Sequence, residues 1–332
     1  MISACVGGGR GRTMKISEEV KGAQTIGISG HIRPDGDCVG SCVALYMYLK
    51  KEFPKAQVEV FLEQPPEVFD CLGAVKEIRT DFKTQVEQFD AFIALDTVKE
   101  RMGEAEKLFD NAVKKINIDH HISNKGCSGT NYIDAQASST SELIYKVLDE
   151  EKLDEEIAKA IYIGIIHDTG VFNYSNTTPD ALAIASKLIS FGFDFSGIIE
   201  KTFYEKTYVQ NLLLGRALLE SITFMDGKCI VSAIHQRTLA FYHADSKDLE
   251  GIVSQLNHTE GVECTIFMYK TGMMEYKVSL RSKGMVDVAQ IAVFFGGGGH
   301  VRAAGCTMNG TFHDVVNNLS LHIEKELQKN MK

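Results

Sequence analysis

Four short runs of acidic and imidazole residues punctuate the first half of the chain. They are His31-Ile32-Arg33-Pro34-Asp35-Gly36-Asp37, Ala94-Leu95-Asp96-Thr97, Asp119-His120-His121 and His167-Asp168-Thr169-Gly170. Each follows or ends an apolar run, where a strand or helix would give way to a loop. Carboxylates and imidazoles gathered at the carboxyl ends of parallel strands make a binding crevice. So many carboxylates with a few imidazoles suit a pair of divalent ions, and the mixed ligation favours Mn²⁺ over Mg²⁺ or Ca²⁺. In an extended loop Asp35 and Asp37 would point to the same side and face neighbouring ions. Asp96 would arrive from another strand and bridge them, with His120 and Asp168 completing the set. A two-metal site of this kind activates water and stabilises the leaving oxygen in phosphoryl transfer. His167, beside Asp168, reads as a core residue and not as a ligand.

The elements that must position these residues are legible as apolar runs. Strands are expected at residues 23–29, 58–62, 91–95 and 115–118, the first running into His31 and the last two ending at Asp96 and Asp119. A helix is expected over 40–51, with Val43, Leu45, Leu49 and Phe53 as its apolar positions. Ser138-Ser139-Thr140-Ser141-Glu142 carries helix N-cap chemistry. Residues 157–167 form a buried helix delivering Asp168, and 179–191 another that stops at Gly192. Strands alternating with helices imply βαβ units and a parallel sheet.

Residues 194–221 read as a charged, helical connector. A different pattern follows: a hairpin over 222–234 turning at Asp226-Gly227, a second of 264–270 with 274–280 around Thr271-Gly272, and a final amphipathic helix over 313–328. Between them lies Gly296-Gly297-Gly298-Gly299-His300-Val301-Arg302-Ala303-Ala304-Gly305. Consecutive glycines let a backbone approach a ligand closely, and their amides can cradle an anion. His300 and Arg302 add donors suited to phosphate. The bland alternative is a flexible loop before an Ala-rich helix.

The bulk numbers bound the possibilities. At 332 residues the chain is expected to hold two domains. Its 44% hydrophobic and 24% charged content is that of a soluble globular protein, and no apolar run reaches the ~18 residues of a membrane span. A net charge of −9 argues against tight binding of long nucleic acid, but bound metals can reverse the local charge for a short nucleotide. Eight cysteines without a CxxC pair read as reduced cytosolic thiols. Residues 1–13, with Arg10 and Arg12 but no apolar core, read as an extension or an early start ahead of Met14, not as a signal peptide.

With these motifs in view, the chain resembles the DHH phosphoesterases over nearly its whole length. The likeness rests on His31 to Ser41, Asp96, the Asp119-His120-His121 triplet, and Asp168-Thr169-Gly170 with Phe172. The glycine run is similar to the Gly-Gly-Gly-His-x-x-Ala-Ala-Gly motif of the family's associated C-terminal domain, with Val301 where many relatives have Pro. The resemblance implies an α/β protein: a parallel-sheet N-terminal domain with helices on both faces (14–193), a helical connector (194–221), a smaller mixed-sheet α/β domain (222–332), and a cleft between the two. It implies His31, Asp35 and Asp96 on one ion and Asp37, Asp96, His120 and Asp168 on the other. His121 would face phosphate, and Asp119 would orient the neighbouring imidazole as a partner behind the ligands. Arg281, Gly297, Gly298, Gly299, His300 and Arg302 would bind substrate.

Lacking the extra domains of the large single-strand exonucleases and the membrane regions of the cyclic dinucleotide enzymes, the chain is similar to the compact members of the family. Those degrade RNAs of a few nucleotides, and many also remove the 3′-phosphate of pAp; some close relatives prefer pApA or c-di-AMP. The expected enzyme is therefore a cytoplasmic hydrolase with two divalent ions, Mn²⁺ or Mg²⁺, acting on short RNA and pAp, with no membrane or long duplex partner. Its relatives are often homodimers. The alternatives are a c-di-AMP phosphodiesterase and a non-catalytic nucleotide-binding module.

Overall fold

The structure is a computed structural model that describes residues 14–330. The expected N-terminal extension, with Cys5, lies outside the described residues. The chain divides into two compact units, one ending at Glu205 and the other beginning at Lys206, so the division falls inside the expected connector.

The first unit runs α1 (Ile16–Glu19), β1 (Thr25–Ser29), α2 (Gly36–Glu52), β2 (Gln57–Phe61), β3 (Ala91–Leu95), α3 (Ala105–Asn111), β4 (Lys114–Asp119), β5 (Thr130–Ile133), α4 (Thr140–Val147), α5 (Glu155–Asp168), α6 (Pro179–Ile189) and α7 (Phe195–Ile199). Its five strands are all parallel, in the order β2-β1-β3-β4-β5. From β1 the chain goes to β2 on one side, then crosses to β3 on the other. The seam between β1 and β3 is thus the point where strand order reverses, and crevices open there at the strands' carboxyl ends. His31 follows β1 and Asp96 follows β3.

Alternation along the strands sends side chains to two cores. Ile28, Ile93, Leu95 and Ile118 pack under α2, α4 and α5. Phe92 and Ala94 face the other way, joining Phe61, Phe89 and Phe109 in an aromatic cluster with α3. Buried on both sides, β3 reads as an unbroken apolar run, Ala91 to Leu95, as central parallel strands do. Strand β5 was not legible: as the edge strand it is only half buried, and its sequence Thr-Asn-Tyr-Ile has no apolar run.

Two local expectations are corrected. The helix expected from residue 40 begins at Gly36, because Asp35 caps it and accepts hydrogen bonds from the amides of Asp37 and Cys38 at 3.2 and 3.1 Å. Asp37 therefore lies in a helical first turn and not in an extended loop, so the two-residue alternation argument fails for this pair. In the second unit, the turn of the 264–280 hairpin sits at Met273-Met274, because a bulge between Lys270 and Gly272 carries β8 two residues further than the Thr271-Gly272 signal implied.

The second unit contains α8 (Tyr208–Leu219), β6 (Ile222–Phe224), β7 (Cys229–Ile234), α9 (Gln236–Tyr242), α10 (Ile252–Asn257), β8 (Cys264–Gly272), β9 (Glu275–Ser282), α11 (Val288–Phe294), β10 (Gly298–His300), β11 (Ala303–Asn309) and α12 (Phe312–Asn330). Its sheet is mixed, ordered β10-β11-β9-β8-β7-β6, with only β7 and β8 parallel. Leu213 and Ala217 of α8 pack with Ile230, Ile234 and Phe267 on one face, while α11 and α12 cover the other through Ile291, Val315, Leu319 and Ile323. The alternative of a loop followed by an Ala-rich helix is overturned: Gly298 to His300 form the edge strand, and Ala303 and Ala304 lie in strand β11 beside it. Among the described residues, no helix is long and apolar enough to cross a membrane.

Candidate metal centre

Two helices and three strand ends of the first unit converge on one acidic cluster. Asp96 is its centre. It is buried and adopts a left-handed backbone (φ 56°), a conformation that Asp tolerates better than most residues. Its amide is held by the Ile118 carbonyl at 3.0 Å, which fixes the turn at the end of β3. Its two oxygens face different imidazoles. Oδ2 lies 3.4 Å from Nε2 of His31, and Oδ1 lies 3.6 Å from Nε2 of His120.

On the first side, His31 Nε2 is also 3.6 Å from Asp35, while its Nδ1 lies 2.9 Å from the Ile32 carbonyl. Donation from Nδ1 to that carbonyl would leave Nε2 to ligate once an ion displaces its proton. On the second side, His120 Nε2 lies 3.2 Å from Asp168 Oδ2 and 4.0 Å from Asp37 Oδ2. Ligand atoms of Asp37, His120 and Asp168 all fall within 4.8 Å of one another. All six expected ligands are thus brought together.

Close helix packing makes this possible. A side chain on Gly40 of α2 would strike the Ala160 carbonyl of α5 at 2.6 Å, and one on Gly164 would strike Ser141 and Asp37. Only glycine lets α2 and α5 approach so far, and that approach sets Asp37 beside Asp168. After Asp168 the chain turns through three consecutive left-handed residues, Gly170, Val171 and Phe172 (φ 57°, 54° and 63°). A β-branched residue there is strained, as segments next to functional groups often are.

The electrostatics call for a cation. Burial, then the charges of Asp96 and Asp168, push the Asp37 carboxyl well above its usual range. Burial, then Asp96 and Asp35, raise Asp168 to about 8. Burial alone would lower His31, but its bonds to Asp35 and Asp96 outweigh that and hold it at about 11. Asp168 Oδ2 is buried without a hydrogen bond. Crowded carboxylates and an orphaned oxygen fit divalent-ion ligation, which neutralises the repulsion and fills the vacant lone pair.

The two histidines of the triplet diverge. Burial lowers the pKa of His120, keeping it neutral as a ligand must be. The pKa of His121 is raised, first by its hydrogen bond to Asp119. Asp119 Oδ1 accepts from the His121 amide at 3.0 Å and from its Nδ1 at 2.7 Å, so Asp119 orients His121 and not His120. Behind it lies a buried amide network that sequence reading missed. Asn124 Nδ2 donates to Asp119 Oδ2 at 2.6 Å and to Asn117 Oδ1 at 2.9 Å, and Asn117 donates to the carbonyls of Ala94 and Thr97. The only signal was an asparagine inside the apolar run of β4. His167 packs edge-on to Phe69 and Phe203 and bonds Thr202 at 3.0 Å; burial lowers its pKa to about 4.

The expected substrate residues lie in the second unit. Ala303 pairs with Arg281 on one side and His300 on the other, so these three side chains share a face across β9, β11 and β10. Arg281 Nη1 donates to the Leu280 carbonyl at 2.9 Å. Arg302 Nη1 donates to Ser282 Oγ and the Val286 carbonyl, both at 3.2 Å. The loop that receives it is anchored by the buried carboxylate of Glu263, which accepts from the amides of Gly284, Met285 and Val286. Glu263, too, was absent from the sequence reading. Gly297, Gly298 and Gly299 are exposed, and β10 is the sheet's edge strand, which leaves its outer backbone groups available to a ligand.

Residues 25–165 match the DHH family, N-terminal domain, and residues 226–329 match the DHHA1 domain. The bifunctional oligoribonuclease and PAP phosphatase NrnA of Thermus thermophilus is 31% identical over 301 residues, covering 89% of this chain and 88% of that protein. The protein of the same name from Bacillus subtilis is 26% identical over 289 residues, covering 86% of this chain and 89% of its own length. The crystal structure of an exopolyphosphatase-related protein from Bacteroides fragilis superimposes with a TM-score of 0.86 at 26% identity, covering 96% of each chain.

Proposed function

The chain belongs to the DHH family, and from that premise we propose that it is a metal-dependent phosphoesterase hydrolysing short oligoribonucleotides to mononucleotides and removing the 3′-phosphate of pAp. The observation that carries this reading is the bridging posture of Asp96, one oxygen toward His31 and the other toward His120. Residues 14–193 form the catalytic part, 222–332 the substrate-binding part and 194–221 the connector. His31, Asp35 and Asp96 would hold one ion; Asp37, Asp96, His120 and Asp168 would hold the other. When bound, two such ions, Mn²⁺ before Mg²⁺, supply an activated water and neutralise charge growing on the phosphate.

The chain's own side chains do the rest. His121, held by Asp119 with its pKa raised, donates to a phosphate oxygen and stabilises charge as it develops. The amides of Gly297 to Gly299 and the side chains of Arg281, His300 and Arg302 bind the nucleotide portion. A short substrate agrees with the net charge of −9, since long duplexes need many basic contacts. A cytoplasmic site of action agrees with the free thiols of the described cysteines.

The test is turnover in Mn²⁺ on pAp, pApA, a five-nucleotide RNA, c-di-AMP and pyrophosphate, with Asp96→Ala as control. Mononucleotides from the RNA and phosphate from pAp, both lost in the variant, are expected. Hydrolysis confined to c-di-AMP or to pyrophosphate would overturn the substrate assignment. Nucleotide binding without turnover of any of the five would overturn the assignment as an enzyme of this class.

A further inference from the structure

Thr140 touches two of the three carboxylates of the second ion's ligand set, Asp37 and Asp96, from a position the metal motifs do not include. It is the first residue of α4, completely buried, and follows the N-cap Ser139. Its amide donates to Asp37 Oδ2 at 2.7 Å, and its hydroxyl donates to Asp96 Oδ1 at 3.0 Å. The next amide, of Ser141, donates to Asp37 Oδ1 at 2.8 Å. The first amides of a helix have no partner within it and carry the positive end of its dipole. Here they are spent on Asp37, so the start of α4 serves as the rear support of one ligand, while the Thr140 hydroxyl supports the other. Asn176 ties the same corner to the third carboxylate's backbone, donating to the carbonyls of Ser138 and Asp168 at 3.0 and 3.1 Å.

We propose that Thr140 is a positioning residue for the metal centre: its hydroxyl fixes the rotation of the Asp96 carboxylate so that one oxygen serves each ion. A carboxylate at a strand end can turn about its last bond. Among the described residues, Asp96 Oδ1 has one donor that does not belong to an imidazole, and that donor is Thr140. Held by it, Oδ1 stays toward His120 and Oδ2 toward His31. Freed from it, the carboxylate can rotate to serve one ion with both oxygens, and the second ion loses its bridge. The run Ser138-Ser139-Thr140-Ser141, legible in the sequence only as a helix cap, thereby acquires a second task. Partners behind ligands contribute about 10–100-fold to metal affinity.

This inference rests on the two-ion reading above, and it is tested with Mn²⁺ alone on the full chain. Thr140→Val keeps the shape and the amide but deletes the hydroxyl; Thr140→Ser keeps the hydroxyl. Titration calorimetry and the exchange-coupled Mn²⁺ pair signal in electron paramagnetic resonance would be recorded for each. The wild type is expected to bind two ions. Thr140→Val should bind the second about 10–100-fold more weakly and lose the coupled signal, while Thr140→Ser stays close to the wild type. A merely structural role would instead lower the metal-free Tm and leave Mn²⁺ affinity unchanged in the folded protein, and that result overturns the proposal. So does a Thr140→Ser variant as weak as Thr140→Val, since keeping the hydroxyl would then not preserve the affinity. If Thr140→Val fails to fold, Thr140→Ala removes the hydroxyl and the methyl together, and its affinity against that of Thr140→Ser decides. Wild-type protein that binds no Mn²⁺ would overturn both this inference and the reading beneath it. Two-ion binding with no turnover would overturn only the latter's enzymatic part.

Discussion

Asp119 and His121 are joined twice, through the amide and through the ring of the histidine, and both bonds end on the same carboxylate oxygen. Burial alone would raise the Asp119 pKa, but His121 and Asn124 outweigh it and hold the carboxyl below its usual range. A buried carboxylate kept ionised in this way favours the protonated form of its imidazole and raises the His121 pKa. Adjacent in sequence, His120 and His121 thus have their pKa values shifted in opposite directions by their surroundings, which suits them to the different tasks proposed for them.

Replacing Asp119 by Asn should therefore lower kcat by about 10–100-fold while leaving Mn²⁺ stoichiometry at the wild-type value. His120→Ala should do the reverse first, losing metal before anything else. Steady-state kinetics beside calorimetric stoichiometry separates the two. Equal loss of metal in both variants would refute the division of labour.

Metal removal should abolish turnover, and metal binding should depend on pH. In the metal-free protein His31 is held at about 11 and Asp168 at about 8, so at pH 7 both carry protons that a divalent ion must displace. Protons compete with the metal, so apparent affinity should rise with pH, about tenfold per unit for each proton released, with the Asp168 contribution levelling off above pH 8. Calorimetry in buffers of different ionisation enthalpy would count those protons. A pH-independent affinity would contradict the arrangement.

The glycines of the run are not equivalent. A side chain on Gly297 would collide with the Gly305 carbonyl and with Cys306, whereas one on Gly298 meets open space. Gly297→Ala should cost about 1–3 kcal/mol through overpacking. Gly298→Ala should leave Tm within about 2 °C and, on the substrate-binding role proposed for the run, raise KM. Thermal melts and kinetics on pAp check both, and an unchanged KM for Gly298→Ala would remove this residue from the binding surface.

The start of the sheet is clamped by an exposed residue. Asp90 accepts from the amides of Gln24 and Thr25 at 2.8 and 3.0 Å, and its own amide donates to Thr25 Oγ1 at 2.9 Å. Those amides lower the Asp90 pKa. Its contribution is therefore fully present above the unfolded value near ~3.9 and fades as pH falls through the lower folded value. Asp90→Ala should destabilise the protein by about 1 kcal/mol at pH 7, and by less below pH 3. Urea unfolding at the two pH values is the measurement; equal losses at both would exclude the ionic part.

Sequence alone determined the parts that depend on residue type and local order. A run such as Ala91 to Leu95 has to be a strand buried on both faces, and an acidic residue directly after it has to sit at the strand's end. Repeated at β1, β3 and β4, that rule sufficed to bring His31, Asp96 and Asp119 to one edge of a parallel sheet. The helical content of 194–221 and the hairpins of the second unit were legible for the same reason. The tertiary structure decided what depends on partners far apart in the chain. Only the approach of α4 to α2 turned a run of serines and a threonine into the support of Asp37 and Asp96, and only the fold of the 120–124 loop assigned Asp119 to His121. The helical first turn that carries Asp37 was hidden because glycine and aspartate propose a loop, while the Asp35 cap, the packing of α2 on α5 and the amides of α4 stabilise a helix there. Local propensity is a matter of fractions of a kcal/mol per residue, and burial against neighbouring elements outweighs it.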